Sequence, residues 1–268
     1  MATHAYIMKA KKSFGQHFLN KEDIAKRIAD SLLLQDKYDA ILEVGPGKGV
    51  LTKYLITKGM EFKAVEADSD MVKYLSHYYK ELDENIIEAD FLKVDLSKVF
   101  DGRPFGLIGN FPYNISSQIL IKLIEYKEYI PELVGMFQKE LAERVISGPG
   151  SKVYGVISVL VQAYYQGEYL FSVSPGSFTP PPKVKSGVIR LVRKENTDLG
   201  CDPKLFKSIV KTTFGQRRKM LRNTMKTFIK DENLLKDEKF NKRPEQLSLQ
   251  EFIDLTKFLE DYKSNQMS

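Results

Sequence analysis

Ala40-Ile41-Leu42-Glu43-Val44-Gly45-Pro46-Gly47-Lys48-Gly49 carries the reading that decides the fold. A short apolar run rich in branched residues suits a buried strand, and the glycines that follow suit the loop that ends it. Glycine lets backbone turn left-handed and approach a ligand closely. In open α/β sheets, ligands lie in the crevice beyond the carboxyl ends of the strands. Gly45 and Gly47 are therefore candidate cofactor contacts. The spacing is G-x-G-x-G, and Val50 stands where a dinucleotide fingerprint needs its third glycine. That spacing disfavours a nucleotide-dependent oxidoreductase.

Outward from this loop, short apolar runs alternate with helical stretches. Strands are expected at 40–44, 62–66, 86–89, 105–109 and 133–137, and helices near 49–58, 69–81, 115–127 and 139–147. Such alternation implies βαβ units and a mostly parallel sheet. Two late strands, 168–174 and 185–193, suggest an antiparallel pair at the sheet edge. Before the first strand, Asn20 reads as the N-cap of a helix carrying Ile24, Ile28 and Leu32. The polar stretch Glu195-Asn196-Thr197-Asp198-Leu199-Gly200 reads as a linker. Beyond it, Phe206, Val210 and Phe214 share one helical face, and Leu221, Met225 and Phe228 another. Ser248-Leu249-Gln250-Glu251 is a capping box opening a last helix. The expected division is an α/β domain over 1–196, with a basic N-terminal segment, and a small all-α domain over 197–268.

Polar residues end the successive strands. Glu66 can accept hydrogen bonds from both hydroxyls of a ribose, with Asp68 as a competitor. Asp90 can accept from an adenine amine. Asn110-Phe111-Pro112-Tyr113 ends the fourth strand. An adenine amine is a poor nucleophile because its lone pair is delocalised into the ring. Acceptors on its two hydrogens favour a tetrahedral nitrogen with an available pair. The Asn110 side-chain oxygen and a nearby carbonyl stiffened by Pro112 can supply them. Tyr113 offers a face for the base to stack on.

The 268 residues are 43% hydrophobic, enough for a substantial core. The formal net charge is +6, yet Pro203 to Lys230 alone holds nine Lys or Arg residues and no acid. The remainder is thus net acidic, and the basic face is local. Within it, Arg217, Arg218, Lys219 and Arg222 are candidate RNA contacts. A helix is expected to open at Gln216, placing three of these cations near its first turn, where phosphates would also meet free N–H groups. The single cysteine, Cys201, excludes an internal disulfide and a cysteine-based zinc site. His4, His17 and His77 show no ligand spacing, so no metal is expected. The N-terminus has no apolar leader, and no apolar run approaches a membrane span. A cytoplasmic, soluble protein is the expectation.

The chain resembles the bacterial ribosomal RNA adenine dimethyltransferase family, in particular its small-subunit branch. The resemblance rests on Phe14-Gly-Gln-His-Phe-Leu19, Glu43-Val-Gly-Pro-Gly-Lys-Gly49, Asn110-Phe-Pro-Tyr-Asn-Ile-Ser116, Phe178-Thr-Pro-Pro-Pro-Lys-Val184 and Phe214-Gly-Gln-Arg-Arg-Lys219. It implies a class I methyltransferase fold, with a seven-stranded sheet and a C-terminal helical domain. It implies S-adenosyl-L-methionine bound through His17, Leu19, Gly45, Glu66, Asp90 and Asn110. It places the target adenine between Tyr113 and Phe178. The implied substrate is a pair of adjacent adenines near the 3′ end of 16S rRNA in an immature small subunit. Many relatives carry Asn at the position of His17, whose side chain either contacts the methionine moiety or caps a backbone group. The large-subunit enzymes that confer macrolide resistance are one alternative, disfavoured by the Phe178–Val184 run and the helical domain. A non-catalytic assembly factor is another, disfavoured by the intact Gly45, Glu66, Asp90 and Asn110–Tyr113 set.

Overall fold

The computed structural model describes residues 15–267. Lys9, Lys11, Lys12 and Phe14, which the sequence reading placed in a basic leading segment, lie outside the described residues. In chain order the elements are β1 (Phe18–Leu19), α1 (Glu22–Ala29), β2 (Ala40–Val44), α2 (Thr52–Leu55), β3 (Glu61–Glu66), α3 (Ser69–Tyr78), β4 (Ile86–Glu88) and α4 (Leu96–Val99). There follow β5 (Gly106–Asn110), α5 (Ser116–Glu125), β6 (Glu132–Gln138), α6 (Lys139–Ile146), α7 (Val156–Tyr164), β7 (Tyr165–Val173), β8 (Phe178–Thr179) and β9 (Ser186–Arg193). The last three helices are α8 (Pro203–Gly215), α9 (Leu221–Thr224) and α10 (Leu249–Met267).

Seven strands form one sheet in the order β4-β3-β2-β5-β6-β9-β7. The first five of these pair in parallel, and β9 runs antiparallel to β6. Every residue of β2 is buried, as is β6 except for Gln138. Apart from Glu43 in β2 and the terminal Glu132 and Gln138 of β6, both strands are apolar, because helices cover both faces of a parallel sheet. The chain enters the sheet at β2, proceeds outward through β3 and β4, then returns to pair β5 against the other side of β2. The strand order therefore reverses between β2 and β5, and the glycine loop and the Asn110 turn leave the sheet side by side. A separate two-stranded ribbon pairs Phe18 with Thr179 and Leu19 with Phe178.

The chain divides into two compact units. One comprises Met1–Ala142 and Gly167–Arg193; the other comprises Glu143–Gln166 and Lys194–Ser268. The second unit thus takes in Glu143–Gln166, a segment the sequence reading assigned to the first domain. Within it α7, for which no helix was expected, meets α8 and α10. Tyr154 meets the Phe214 ring edge-on and Phe214 stacks on Phe252, each pair at 5.9 Å between centroids, and the Tyr154 hydroxyl donates to the Leu247 carbonyl at 3.0 Å.

Two local expectations are corrected. Asn20 does not cap α1: the cap position is Lys21, without a side-chain bond, and the Asn20 amide donates to Thr179 Oγ1 at 3.0 Å. No helix opens at Gln216. α8 ends at Gly215, Gln216 is its C-cap, and the next helix begins at Leu221. Arg217, Arg218 and Lys219 therefore follow a helix C-terminus, where the macrodipole favours cations instead of opposing them. No helix among the described residues is long and apolar enough to cross a membrane.

Candidate active site

The strand ends converge on a cavity of about 550 Å³ in the first unit, within the range that holds a small-molecule cofactor. It is lined by His17, Leu19, Gly45, Gly47, Glu66, Asp90, Asn110, Pro112 and Tyr113, together with Glu43, Phe91 and others. Of the residues read from sequence for cofactor and chemistry, only Phe178 lies outside the lining. Its side chain is 3% exposed and belongs to the core cluster beside Leu19.

The glycine loop is built on left-handed backbone. Gly45, Gly47 and Gly49 have φ of +67°, +55° and +76°, values that L side chains rarely adopt. Closeness adds to the requirement at Gly49, where a Cβ would stand 2.6 Å from the Tyr79 ring. At Gly47 a Cβ would press on the Phe18 ring at 3.2 Å. Thr52, opening α2, donates its hydroxyl to the Glu43 carboxylate at 2.6 Å, so strand and helix are tied across the base of the loop.

Glu66 ends β3 and is 6% exposed. Its two oxygens accept from the Gly47 N–H at 3.2 Å and the Asp68 N–H at 2.9 Å. Burial raises its carboxyl above the usual range, and these N–H donors pull the other way. Asp68 does not compete for the cavity. It caps α3 by accepting from the Asp70 N–H at 3.1 Å, and accepts from the Gln16 amide at 2.9 Å. Glu43 is 1% exposed, and burial, aided by the nearby Glu66 charge, pushes its carboxyl up to about 8. Asp90, after β4, is exposed; one oxygen accepts from the Leu92 N–H at 3.0 Å, capping the single turn Phe91–Lys93.

Asn110 ends β5. Its Nδ2 donates to the His17 carbonyl at 3.1 Å, which fixes which way the amide faces. Its Oδ1 meets no donor among the described residues and remains an acceptor. Of the carbonyls that follow, that of Pro112 accepts from the Ser116 hydroxyl at 2.9 Å and the Ile115 N–H at 3.3 Å. That of Phe111, bonded to the Pro112 ring nitrogen, accepts nothing among the described residues. The turn thus holds two acceptors without a donor among the described residues, Asn110 Oδ1 and Phe111 O. The Tyr113 hydroxyl shares a 2.5 Å hydrogen bond with Ser186 Oγ, which anchors the ring from its far end. His17 lies against that ring at 5.4 Å between centroids, and its Nδ1 contacts the Pro180 carbonyl at 2.9 Å. A carbonyl only accepts, so Nδ1 carries the proton. Here the His17 side chain ties down backbone, the second of its two readings.

Sequence reasoning passed over Glu43, quoted but given no role, and Phe91. An acid inside an otherwise apolar buried strand is the signal that points to Glu43.

The comparisons agree with this geometry. The family model described as "Ribosomal RNA adenine dimethylase" matches residues 7–261. The chain belongs to the ribosomal RNA adenine dimethylase family. Among its relatives is "Ribosomal RNA small subunit methyltransferase A" of Bacteroides fragilis, 57% identical over 95% of this chain and 93% of that protein. The protein of the same name from Flavobacterium johnsoniae is 54% identical over 94% and 97%. Among solved structures, a dimethyladenosine transferase from Plasmodium falciparum superposes with a TM-score of 0.74 at 24% identity, covering 93% of this chain and 98% of that one. The 23S rRNA methyltransferase ErmE gives 0.67 at 22% identity over 91% and 99%. Both likenesses establish the class I methyltransferase fold. As a dimethylase family member, the chain is a methyltransferase acting on ribosomal RNA adenine.

The four cations read as RNA contacts sit together in the second unit. Arg218 and Lys219 are exposed. Arg217 is half-buried, donating to the Ser151 carbonyl at 3.1 Å and pairing with Glu245 at 3.9 Å. Arg222 is half-buried, and its Nε has no partner among the described residues.

Proposed function

We propose that this enzyme dimethylates the N6 amines of two adjacent adenosines near the 3′ end of 16S rRNA. S-adenosyl-L-methionine is its methyl donor, and its substrate is a maturing small ribosomal subunit in the cytoplasm. The observation that carries the chemistry is the pair of free acceptors, Asn110 Oδ1 and Phe111 O, on the wall of a cavity that also presents Glu66 and Asp90. The small-subunit assignment is supported by relatives above 50% identity that bear that name.

The donor set fits an adenosine with an amino-acid tail. Asp90 caps the turn with one oxygen, while the other, 3.9 Å from the exposed Lys93 ammonium, keeps lone-pair capacity for the adenine amine. Glu66 has a second lone pair on each oxygen for the ribose hydroxyls. Strand order β4-β3-β2-β5 then carries the tail past the glycine loop, toward Asn110. When bound, S-adenosyl-L-methionine supplies a methyl group on a positively charged sulfur. Asn110 Oδ1 and Phe111 O accept hydrogen bonds from the N–H groups of the target amine, two before the first transfer and one before the second, and turn its lone pair toward that methyl; each methylated nitrogen then releases one proton to solvent. Tyr113, held by Ser186, gives the base a fixed face. Phe178 backs the wall through its pairing with Leu19, and its stacking role requires the ring to turn out of the core. Pro112 stiffens the backbone that presents the Phe111 carbonyl, because its ring fixes its own φ and restricts the residue before it. Arg218 and Lys219, with Arg217 and Arg222, hold RNA phosphates.

Mass spectrometry of ribosomal RNA from a strain lacking the protein tests this. Loss of dimethyladenosine from small-subunit RNA is the expected result. Loss from large-subunit RNA, or no loss, overturns it.

A further inference from the structure

Lys122 is a buried cation that the chemistry above does not use. It lies in α5, is 6% exposed, and its ammonium donates to the Leu92 carbonyl at 3.1 Å and the Val94 carbonyl at 2.6 Å. It also stands over the Phe91 ring at 5.5 Å and the Tyr126 ring at 5.0 Å. Removing an ammonium from water is costly, and an apolar side chain would fill the same space without that cost. The position therefore has a polar task.

That task is visible in what the two carbonyls belong to. Phe91–Lys93 is a single helical turn. Asp90 closes its front, accepting from the Leu92 N–H, and Lys122 closes its back, satisfying carbonyls that so short a turn leaves free. Phe91, under the ammonium, lines the same cavity as Asp90. The turn's own backbone bonds are two, Lys93 N–H to the Asp90 carbonyl at 2.8 Å and Val94 N–H to the Phe91 carbonyl at 3.3 Å, and neither ties it to the rest of the fold. Lys122 supplies that tie from α5, the helix that follows the Asn110–Tyr113 turn. Burial lowers the lysine's tendency to stay protonated, while the charges of Glu125, Asp95 and Asp90 oppose that.

We propose that Lys122 is a positioning residue for the cofactor: by pinning the Asp90–Val94 turn to α5, it sets Asp90 and Phe91 at the distance from the Asn110 turn that S-adenosyl-L-methionine spans. This rests on the reading of Asp90 as an adenine contact. Lys122 touches neither cofactor nor target base and acts through the turn.

A double-mutant cycle on cofactor affinity, measured by calorimetry with S-adenosylhomocysteine, tests it. Lys122→Met should weaken binding about tenfold, the scale of coupling within one hydrogen-bond network. Asp90→Ala should weaken the wild-type protein but have little further effect in the Lys122→Met background. Lys122→Arg, which keeps donors in place, should recover most of the affinity. In methyl transfer, Lys122→Met should raise KM for the cofactor with kcat nearly unchanged. Additive losses from Lys122→Met and Asp90→Ala overturn the inference. So does a fall in kcat with no change in affinity. If Asp90→Ala leaves wild-type affinity intact, the cofactor reading fails first and takes the inference with it. Should Lys122→Met not fold, the Lys122→Arg cycle decides alone: unlike Asp90→Ala, it must leave affinity near wild type.

Discussion

At the scale of single residues, the proposed mechanism separates chemistry at Asn110 from binding at Glu66. In that mechanism Asn110 Oδ1 acts on the target amine as its nitrogen becomes tetrahedral, so its contribution is largest in the transition state. Asn110→Ala should slow single-turnover methyl transfer by about a hundred- to a thousandfold, with cofactor affinity much less affected. Glu66→Ala should do the reverse, weakening cofactor binding by about 1.5–3 kcal/mol, the usual range for hydrogen bonds to a charged group; calorimetry reads both. Glu43 sets a pH dependence. Its folded carboxyl keeps a proton to about pH 8, whereas an unfolded one releases it near 4.5. Between those values the folded state binds more protons at this site, so the Glu43 contribution to stability is greatest below 4.5 and falls as pH rises toward 8. Glu43→Gln stays neutral throughout and its amide oxygen can still accept from Thr52. Urea midpoints across that window should therefore decline for the wild-type protein and stay flatter for the variant. Equal slopes would mean that Glu43 does not carry the effect.

At the scale of elements, the last helix is the clearest case of local sequence deciding structure. Ser248 Oγ accepts from the Glu251 N–H at 3.2 Å, and the Glu251 carboxylate accepts from the Ser248 N–H at 2.8 Å, so both halves of the capping box form. Ser248→Ala should cost about 1 kcal/mol in chemical denaturation, and no loss would show that packing alone starts α10. The parallel strands were legible for a similar reason: Ala40–Val44 matches its expected bounds because a run of mostly branched apolar residues is closed by the Gly45-Pro46-Gly47 breaker. α7 was not legible. Apart from Ser158, Val156-Ile157-Ser158-Val159-Leu160-Val161 is branched and apolar, with no helical period, and its burial in the second unit suits a helix without a polar face. Gln216–Met220 misled in the opposite direction. Arg, Lys and Gln favour helix, yet α8 ends one residue before them and the chain turns. In the site, strand-end acids and the Asn110 turn were legible because topology alone brings strand ends together. The division of labour between Glu66 and Asp68 was not, since it depends on which carboxylate finds the N–H groups of α3. Phe178 was placed by resemblance, and its pairing with Leu19 puts it behind the wall.

At the scale of the whole molecule, charge and chemistry are assigned to different units: the cofactor cavity to the first, the basic cluster to the second. The cluster lies in the turn between α8 and α9, and its cations differ in how they are held. Arg217 is held within its own unit by the Ser151 carbonyl and Glu245, so replacing it mixes folding with binding. Arg218 and Lys219 are exposed and follow the C-terminus of α8, where their charge is favoured by the dipole and free to meet phosphate. Arg218→Gln with Lys219→Gln is therefore the cleaner variant. It removes two cations, and if both neutralise phosphates it should release fewer counterions on binding. Affinity for small-subunit particles should fall. Its logarithm should also depend less steeply on the logarithm of salt, by roughly 0.7–0.9 for each phosphate no longer neutralised. Affinity for S-adenosylhomocysteine should not move, because no residue of the cavity lining belongs to the second unit. Titration at several salt concentrations separates the cases: a weaker affinity with an unchanged slope would assign these cations to a group other than phosphate, and an unchanged affinity would leave them as solvated surface.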